Sequence, residues 1–224
     1  MPAILSGNAL KIIAAITMFI DHMGMLLFPE NMAFRIVGRL AFPIYAYMIA
    51  EGCKFTRNRL RYFLSLFLLG AVCQIVYLIV DGSTYFSILF TFSLSILMIY
   101  ALDHAKTVKT PLSFLVFTAA VTGVWMLNRL FTIDYGFWGC MVPVWVSLLH
   151  RTKCDKLPGT VAMLGIGLLL LAMDSSRVQF YSLLALPLLM LYSGQRGKWR
   201  MKSFFYIFYP AHLVLLQAIA WLWA

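Results

Sequence analysis

Residues 10–28 read LKIIAAITMFIDHMGMLLF. One basic residue, Lys11, stands near the start, and a run of large apolar side chains follows. A bilayer crossing needs about 20 predominantly apolar residues, so this stretch predicts a transmembrane helix. The same composition extends along the chain. Its 224 residues are 62% hydrophobic and only 12% charged, with a mean hydropathy of +0.87. A soluble domain carries about 25% charged residues. No polar block is long enough to form a soluble domain. The fold class is therefore all-α: a polytopic transmembrane helical bundle built as a single domain, residues 1–224.

Apolar runs cover roughly 9–28, 36–50, 62–80, 86–102, 112–130, 135–149, 160–173, 178–192 and 203–223. They predict about nine spans, in a range of eight to ten, because 135–149, 160–173 and 178–192 are short for a crossing. The first run reads as a retained helix, since MPAILSGNALK has no basic region of the signal-peptide kind. Lys and Arg fall in alternate loops: Lys54, Arg57, Arg59 and Arg61; Lys106 and Lys109; Arg151, Lys153 and Lys156; Arg196, Lys198, Arg200 and Lys202. Short loops rich in Lys and Arg stay in the cytoplasm. The N-terminus is then cytoplasmic and, with nine spans, the C-terminus lies outside. The formal charge of +10 serves topology and attraction to anionic membrane lipid, and no nucleic-acid partner is expected. Walker, G-x-S-x-G, H-E-x-x-H and C-x-x-C motifs are absent. Cys53 and Cys154 read as loop residues, Cys73 and Cys140 as residues of apolar runs, and no metal is expected.

Asp21 and His22 interrupt the first span near or slightly beyond mid-depth. Adjacent residues on a helix are about 100° apart, so they face different neighbours. Ionisable groups at that depth are costly unless paired or wetted. Arg35 and Arg39, one helical turn apart in AFRIVGRLAFP, re-enter from the outer side and bring Arg39 within plausible reach of Asp21. Gly38 permits close helix approach, and Pro43 disturbs the ladder. In the last span, FYIFYPAHLVLL puts His212 at a similar depth, with Tyr209 three residues before it. If the first and last helices meet, Asp21, His22 and His212 share a cluster. Glu51, beside Lys54 and Arg57 at an inner helix end, reads either as an interfacial pair or as a substrate contact. Asn128, Arg129, Asp134 and Tyr135 read either as an outer turn or as recognition of a substrate arriving from outside. Asn58, Gln74, Asp81 and Thr91 make weaker claims, and Asp103–His104 reads as interfacial.

An imidazole can take a proton from a hydroxyl or amine nucleophile. A carboxylate can orient it, and an arginine or tyrosine can steady an oxyanion. With no recognisable covalent nucleophile, direct transfer from an activated donor is favoured. These ingredients suit a membrane acyltransferase. They also suit a proton relay in a transporter.

Four segments carry a resemblance: ALKIIAAITMFIDHMGMLLFP, RIVGRLAFPIYAYMIAEGCKFTRNRLRY, IDYGFWG and FYIFYPAHLVLL. Together and in this order they resemble the TraX family, named for a conjugation protein linked to N-acetylation of pilin. More remotely the chain is similar to multi-span membrane acyltransferases that use acyl-CoA from the cytoplasm, in which a first-span histidine is the usual catalytic candidate. The resemblance implies a bacterial cytoplasmic (inner) membrane protein. It implies acetyl-CoA or another acyl-CoA as donor, with the phosphates near Lys54, Arg57 and Asn58. The implied acceptor is a protein N-terminus such as that of pilin, or an envelope glycan or lipid. His22 becomes the first candidate for general base, with Asp21, His212 and Arg39 as catalytic partners. Arg35, Glu51, Tyr209, Asn128, Arg129, Asp134 and Tyr135 are then candidates for substrate contact. A proton-coupled transporter or flippase, and a non-catalytic membrane assembly factor, remain the competing classes. Convergence of His22, Asp21, Arg39 and His212 around a cavity open to the cytoplasm would favour the enzyme, and their facing lipid or separate packed seams would weaken it.

Overall fold

The computed structural model describes residues 4–150, 152–153, 155–198 and 201–223. Arg151, Cys154 and Arg200 lie outside the described residues, as do the side chains of Asp81 and Lys202. Apart from two isolated β-bridges, regular structure among the described residues is helical. The elements are α1 (Gly7–Leu27), α2 (Met32–Gly38), α3 (Ala41–Phe55), α4 (Arg59–Asp81), α5 (Ile88–Val108), α6 (Pro111–Leu130), α7 (Gly136–Leu148), α8 (Leu157–Asp174), a 3-10 segment (Arg177–Leu184), α9 (Ala185–Met190) and α10 (Lys202–Trp223). In hydrocarbon every backbone polar group needs a partner within the protein, which helices supply.

Each of the nine apolar runs becomes helical, but they are unequal. Among the described residues, seven stretches are long and apolar enough to cross a membrane, including Met32–Phe55 and the 18-residue Leu157–Asp174. The runs at 135–149 and 178–192 form only short helices, Gly136–Leu148 and Arg177–Met190. Large apolar side chains face outward, with Leu222 89%, Ile79 78%, Met173 76% and Leu112 69% exposed. Such a surface suits lipid and is untenable in water. The chain is thus a polytopic membrane protein.

Two compact units form, one of Met1–Met48 with Ser175–Ala224 and the other of Ile49–Asp174. In the first, α1 packs against α2 and α10, and the 3-10 segment lies on α2. Ser6 caps α1 by accepting a hydrogen bond from the Ala9 amide at 3.2 Å. The amides of Gly7 and Asn8, which have no partner within their own helix, donate to the carbonyls of Gln195 and Arg196 at 2.8 and 3.0 Å. The start of the chain is thereby tied to the segment before α10. A helix break separates α2 from α3 at residues 39–40. Pro43, in the first turn of α3, lacks the amide that would continue the ladder to Arg39.

In the second unit, α5 packs against α4, α6 and α7, and α7 against α8. Its interior is small and polar where helices meet. The Ser95 hydroxyl lies 2.9 Å from the Thr91 carbonyl and 2.7 Å from that of Cys140, as expected for close membrane helix packing. The Asn58 side chain caps α4 by accepting from the Arg61 amide at 2.8 Å. The α6 start carries a capping box of Thr110 and Ser113 with Pro111 beside it, a strong helix-initiation pattern. The Lys106 ammonium donates to the carbonyls of Ser147, Leu148 and His150 at 2.7, 2.6 and 3.2 Å, closing the C-terminus of α7 with a positive charge. Cys53 corrects the sequence reading: α3 continues to Phe55, so this thiol is buried in a helix and does not lie in a loop.

Candidate active site

The adjacent pair in α1 splits between two partners, as the 100° step of a helix requires. Asp21 faces α2. Its carboxylate is held by Arg35 Nη1 at 2.9 Å and by Arg39 Nη2 at 3.0 and 2.9 Å, one contact to each oxygen. The spacing of four residues brings both arginines to one carboxylate. Arg39 also donates from Nη1 to Gln179 Oε1 at 3.2 Å and from Nε to the Arg35 carbonyl at 3.4 Å. Two guanidinium groups on one carboxylate leave one positive charge in a largely apolar setting. Asp21 and Gln179 are buried, with Gln179 only 3% exposed.

Close backbone approach makes this cluster possible. A Cβ added at Gly38 would run into the Cβ and carboxylate of Asp21, and one at Gly24 would run into Phe34. Gly38→Ala should therefore push the carboxylate off its arginines and cost about 1–3 kcal/mol, the usual scale of overpacking. A fall in the melting temperature of detergent-solubilised protein checks this. An unchanged melting temperature would mean that Asp21 can step aside.

His22 faces α10. Its Nδ1 lies 2.8 Å from Nε2 of His212, and the two rings stack with centroids 5.0 Å apart. The other His212 nitrogen, Nδ1, lies 2.8 Å from the Phe208 carbonyl. A carbonyl only accepts, so this contact assigns the proton to His212 Nδ1. In the neutral pair, His212 Nε2 is then an acceptor and His22 Nδ1 the donor to it. The lone pair left over is on His22 Nε2. Phe208 stacks on His212 at 4.9 Å and Tyr209 meets it edge-on at 5.7 Å, so the inner ring is fixed on both sides. A carboxylate orienting the imidazole is what the sequence suggested. Here Asp21 is committed to the arginines, and a second imidazole orients His22.

These residues thus lie in one unit but on two seams of α1: Asp21 with Arg35 and Arg39 at α2, and His22 with His212, flanked by Tyr209, at α10. Gln179 was not singled out from sequence; with Ser182 it interrupts the start of the apolar run 178–192, and those two polar residues were the available signal.

The remaining candidates belong to the second unit, each within its own network. Lys54 pairs with Asp155 at 2.7 Å, Arg57 is exposed, and Asn58 caps α4. Asp134 accepts from the Tyr85 hydroxyl at 2.8 Å through its carboxylate and from the Thr91 hydroxyl at 2.6 Å through its carbonyl. Tyr135 takes a left-handed backbone, φ 59°, at the head of α7, a strained placement for a bulky residue. Asn128 donates to the Val124 carbonyl at 2.9 Å, and Arg129 lies over the Trp125 ring at 5.9 Å. Asp103, near the end of α5, is buried and bound to Arg59 at 2.7 Å.

Glu51 approaches His150 Nε2 at 4.0 Å. Burial, then Lys54, pushes the His150 pKa from 6.5 down to about 4. Its folded pKa is below the unfolded one, so the unfolded chain binds the extra proton between those values. Stability is fully present above about pH 6.5 and falls as pH drops toward 4. The melting temperature should decline over this window, and His150→Gln should flatten part of the decline.

Fold and site together define a polytopic helical membrane protein with a charged and imidazole-bearing centre in one unit. The chain belongs to the TraX family, whose model, described as TraX protein, matches residues 6–220. It is similar, at 28% identity over 240 residues and 94% of each chain, to the probable fimbrial assembly protein FimC, serogroup H1, of Dichelobacter nodosus. No solved structure matches.

Proposed function

We propose that this protein is a membrane acyltransferase that moves an acetyl or other short acyl group from acyl-CoA to an amine or hydroxyl acceptor. TraX membership supports, at the level of the family, a membrane enzyme of the pilin-acetylation kind. The observation that carries the reading for this chain is the hydrogen-bonded file from the Phe208 carbonyl through His212 to His22, which leaves His22 Nε2 to take a proton. On this reading His22 is the general base. His212 orients it and stabilises the imidazolium, and the Asp21–Arg35–Arg39 cluster supplies a fixed positive field for the developing negative charge.

The N-terminus and the basic loops face the cytoplasm of a bacterial inner membrane. On the same reading the basic loop that carries Lys54, Arg57 and Asn58 attracts the phosphates of the donor. The acceptor is a protein N-terminus such as that of pilin, or an envelope glycan or lipid. The similarity to a protein named for fimbrial assembly favours a protein acceptor. That same name also supports a second reading, a non-catalytic assembly factor. Purified protein given labelled acetyl-CoA and an envelope extract should label an acceptor. No acceptor label from folded protein would contradict the enzyme. Solute uptake driven by a proton gradient would put a transporter in its place.

A further inference from the structure

The 3-10 segment Arg177–Leu184 turns its polar side inward. Side chains three apart eclipse on a 3-10 helix, so Gln179 and Ser182 share a face. Both are buried, as is Ala185 one further step of three along, while Phe180, Tyr181 and Leu184 are exposed. An outward apolar face suits lipid, but a buried polar face needs partners. Gln179 has half of what it needs. Arg39 donates to its Oε1, and because a guanidinium offers only donors this contact fixes which end of the amide is which. Gln179 Nε2 is left buried without an acceptor, and the Ser182 hydroxyl is buried without a partner. Ser93 in α5, by contrast, bonds back to the Leu89 carbonyl at 2.7 Å, while Ser87 and Ser147 are, like Ser182, buried without a partner. Leaving such groups unsatisfied is costly, and here two stand one 3-10 turn apart, the first of them bonded to Arg39 of the charged cluster.

Acyl transfer needs a donor for the oxyanion, and Arg39 is poorly placed to be that donor. Its Nε, Nη1 and Nη2 are all engaged with Arg35, Gln179 and Asp21. We infer that Gln179 Nε2 and Ser182 Oγ form the subsite for the acyl carbonyl oxygen of the donor thioester, with Arg39 positioning the Gln179 amide. This rests on the acyl-transfer reading above. In the step, the acceptor nitrogen or oxygen forms a bond to the carbonyl carbon, whose π electrons move to the carbonyl oxygen. The acceptor's proton passes to His22 Nε2. Gln179 and Ser182 donate hydrogen bonds to the oxyanion. When the carbonyl re-forms, the C–S bond breaks, and the CoA thiolate leaves and takes the proton from His22.

Infrared difference spectroscopy with acetyl-CoA isotope-labelled at the carbonyl carbon tests the subsite. Wild-type protein should show a bound thioester band at lower frequency than free acetyl-CoA. Gln179→Glu keeps an oxygen for Arg39 but removes the N–H donor. It should return the band toward the free value and lower kcat about 10²–10³-fold with KM little changed, the scale of losing one oxyanion donor. Ser182→Ala removes only a hydroxyl and reads the same band whether or not glutamate is tolerated; a smaller shift in the same direction is expected. Unchanged band and kcat in these variants would overturn the subsite while leaving acyl transfer intact. No bound-thioester band in the wild type would overturn the acyl-transfer reading and the subsite with it.

Discussion

Replacing His22 by glutamine should lower acyl transfer by about 10²–10⁴-fold, the usual contribution of a positioned general base, with little change in folding. Glutamine can still donate to His212 Nε2, so the contact at 2.8 Å has a substitute, but the amide has no basic lone pair where His22 Nε2 stands. His212→Gln should act differently. His22 keeps its basic nitrogen and loses the ring that fixes its tautomer. A loss of about 10–100-fold is expected, the scale of removing a partner that orients a working imidazole. Initial rates with labelled acetyl-CoA separate the two. Equal loss in both variants would indicate a shared role, and a larger loss at His212 would reverse the assignment of the base.

Asp21→Ala should be the most destabilising single change in the first unit. It leaves Arg35 and Arg39, 30% and 12% exposed at the side chain, facing each other with no carboxylate between them. Breaking a buried pair by removing one partner costs about 3–5 kcal/mol, because the remaining charge is stranded. Two guanidinium groups are stranded here, so lowered yield and melting temperature are expected. Removing Arg35 as well, in Asp21→Ala/Arg35→Gln, should recover part of the loss, since one stranded charge disappears. If the double variant were as unstable as the sum of the singles, the cluster would not be acting as a unit.

Much of this centre was legible in the sequence because helix geometry is rigid. The four-residue spacing of Arg35 and Arg39, the tight Gly38 between them, and the 100° step between Asp21 and His22 leave few ways to satisfy an in-membrane carboxylate. A histidine at similar depth in the last apolar run completed the set. What was not legible has physical reasons. A carboxylate is the more familiar partner of a catalytic imidazole, yet two arginines outcompete it for Asp21 through charge. Gln179 lies in a 3-10 segment, whose period of three escapes a search for α-helical periodicity. Asp103 and Arg59 are 44 positions apart, so nothing local marks the carboxylate as buried. The short runs at 135–149 and 178–192 read as spans from hydropathy; α7 fills the first run from its left-handed start at Tyr135, and the second is divided between the 3-10 segment Arg177–Leu184 and α9.

On the proposed reading the His22–His212 pair carries out acyl transfer. The most direct measurement compares purified wild-type protein with His22→Gln/His212→Gln, matched for melting temperature, each given labelled acetyl-CoA and the same envelope extract. The claim requires label in an amine or hydroxyl acceptor with the wild type and none above background with the double variant. Equal labelling by the two proteins would contradict it, as would a wild-type protein that leaves every acceptor unlabelled.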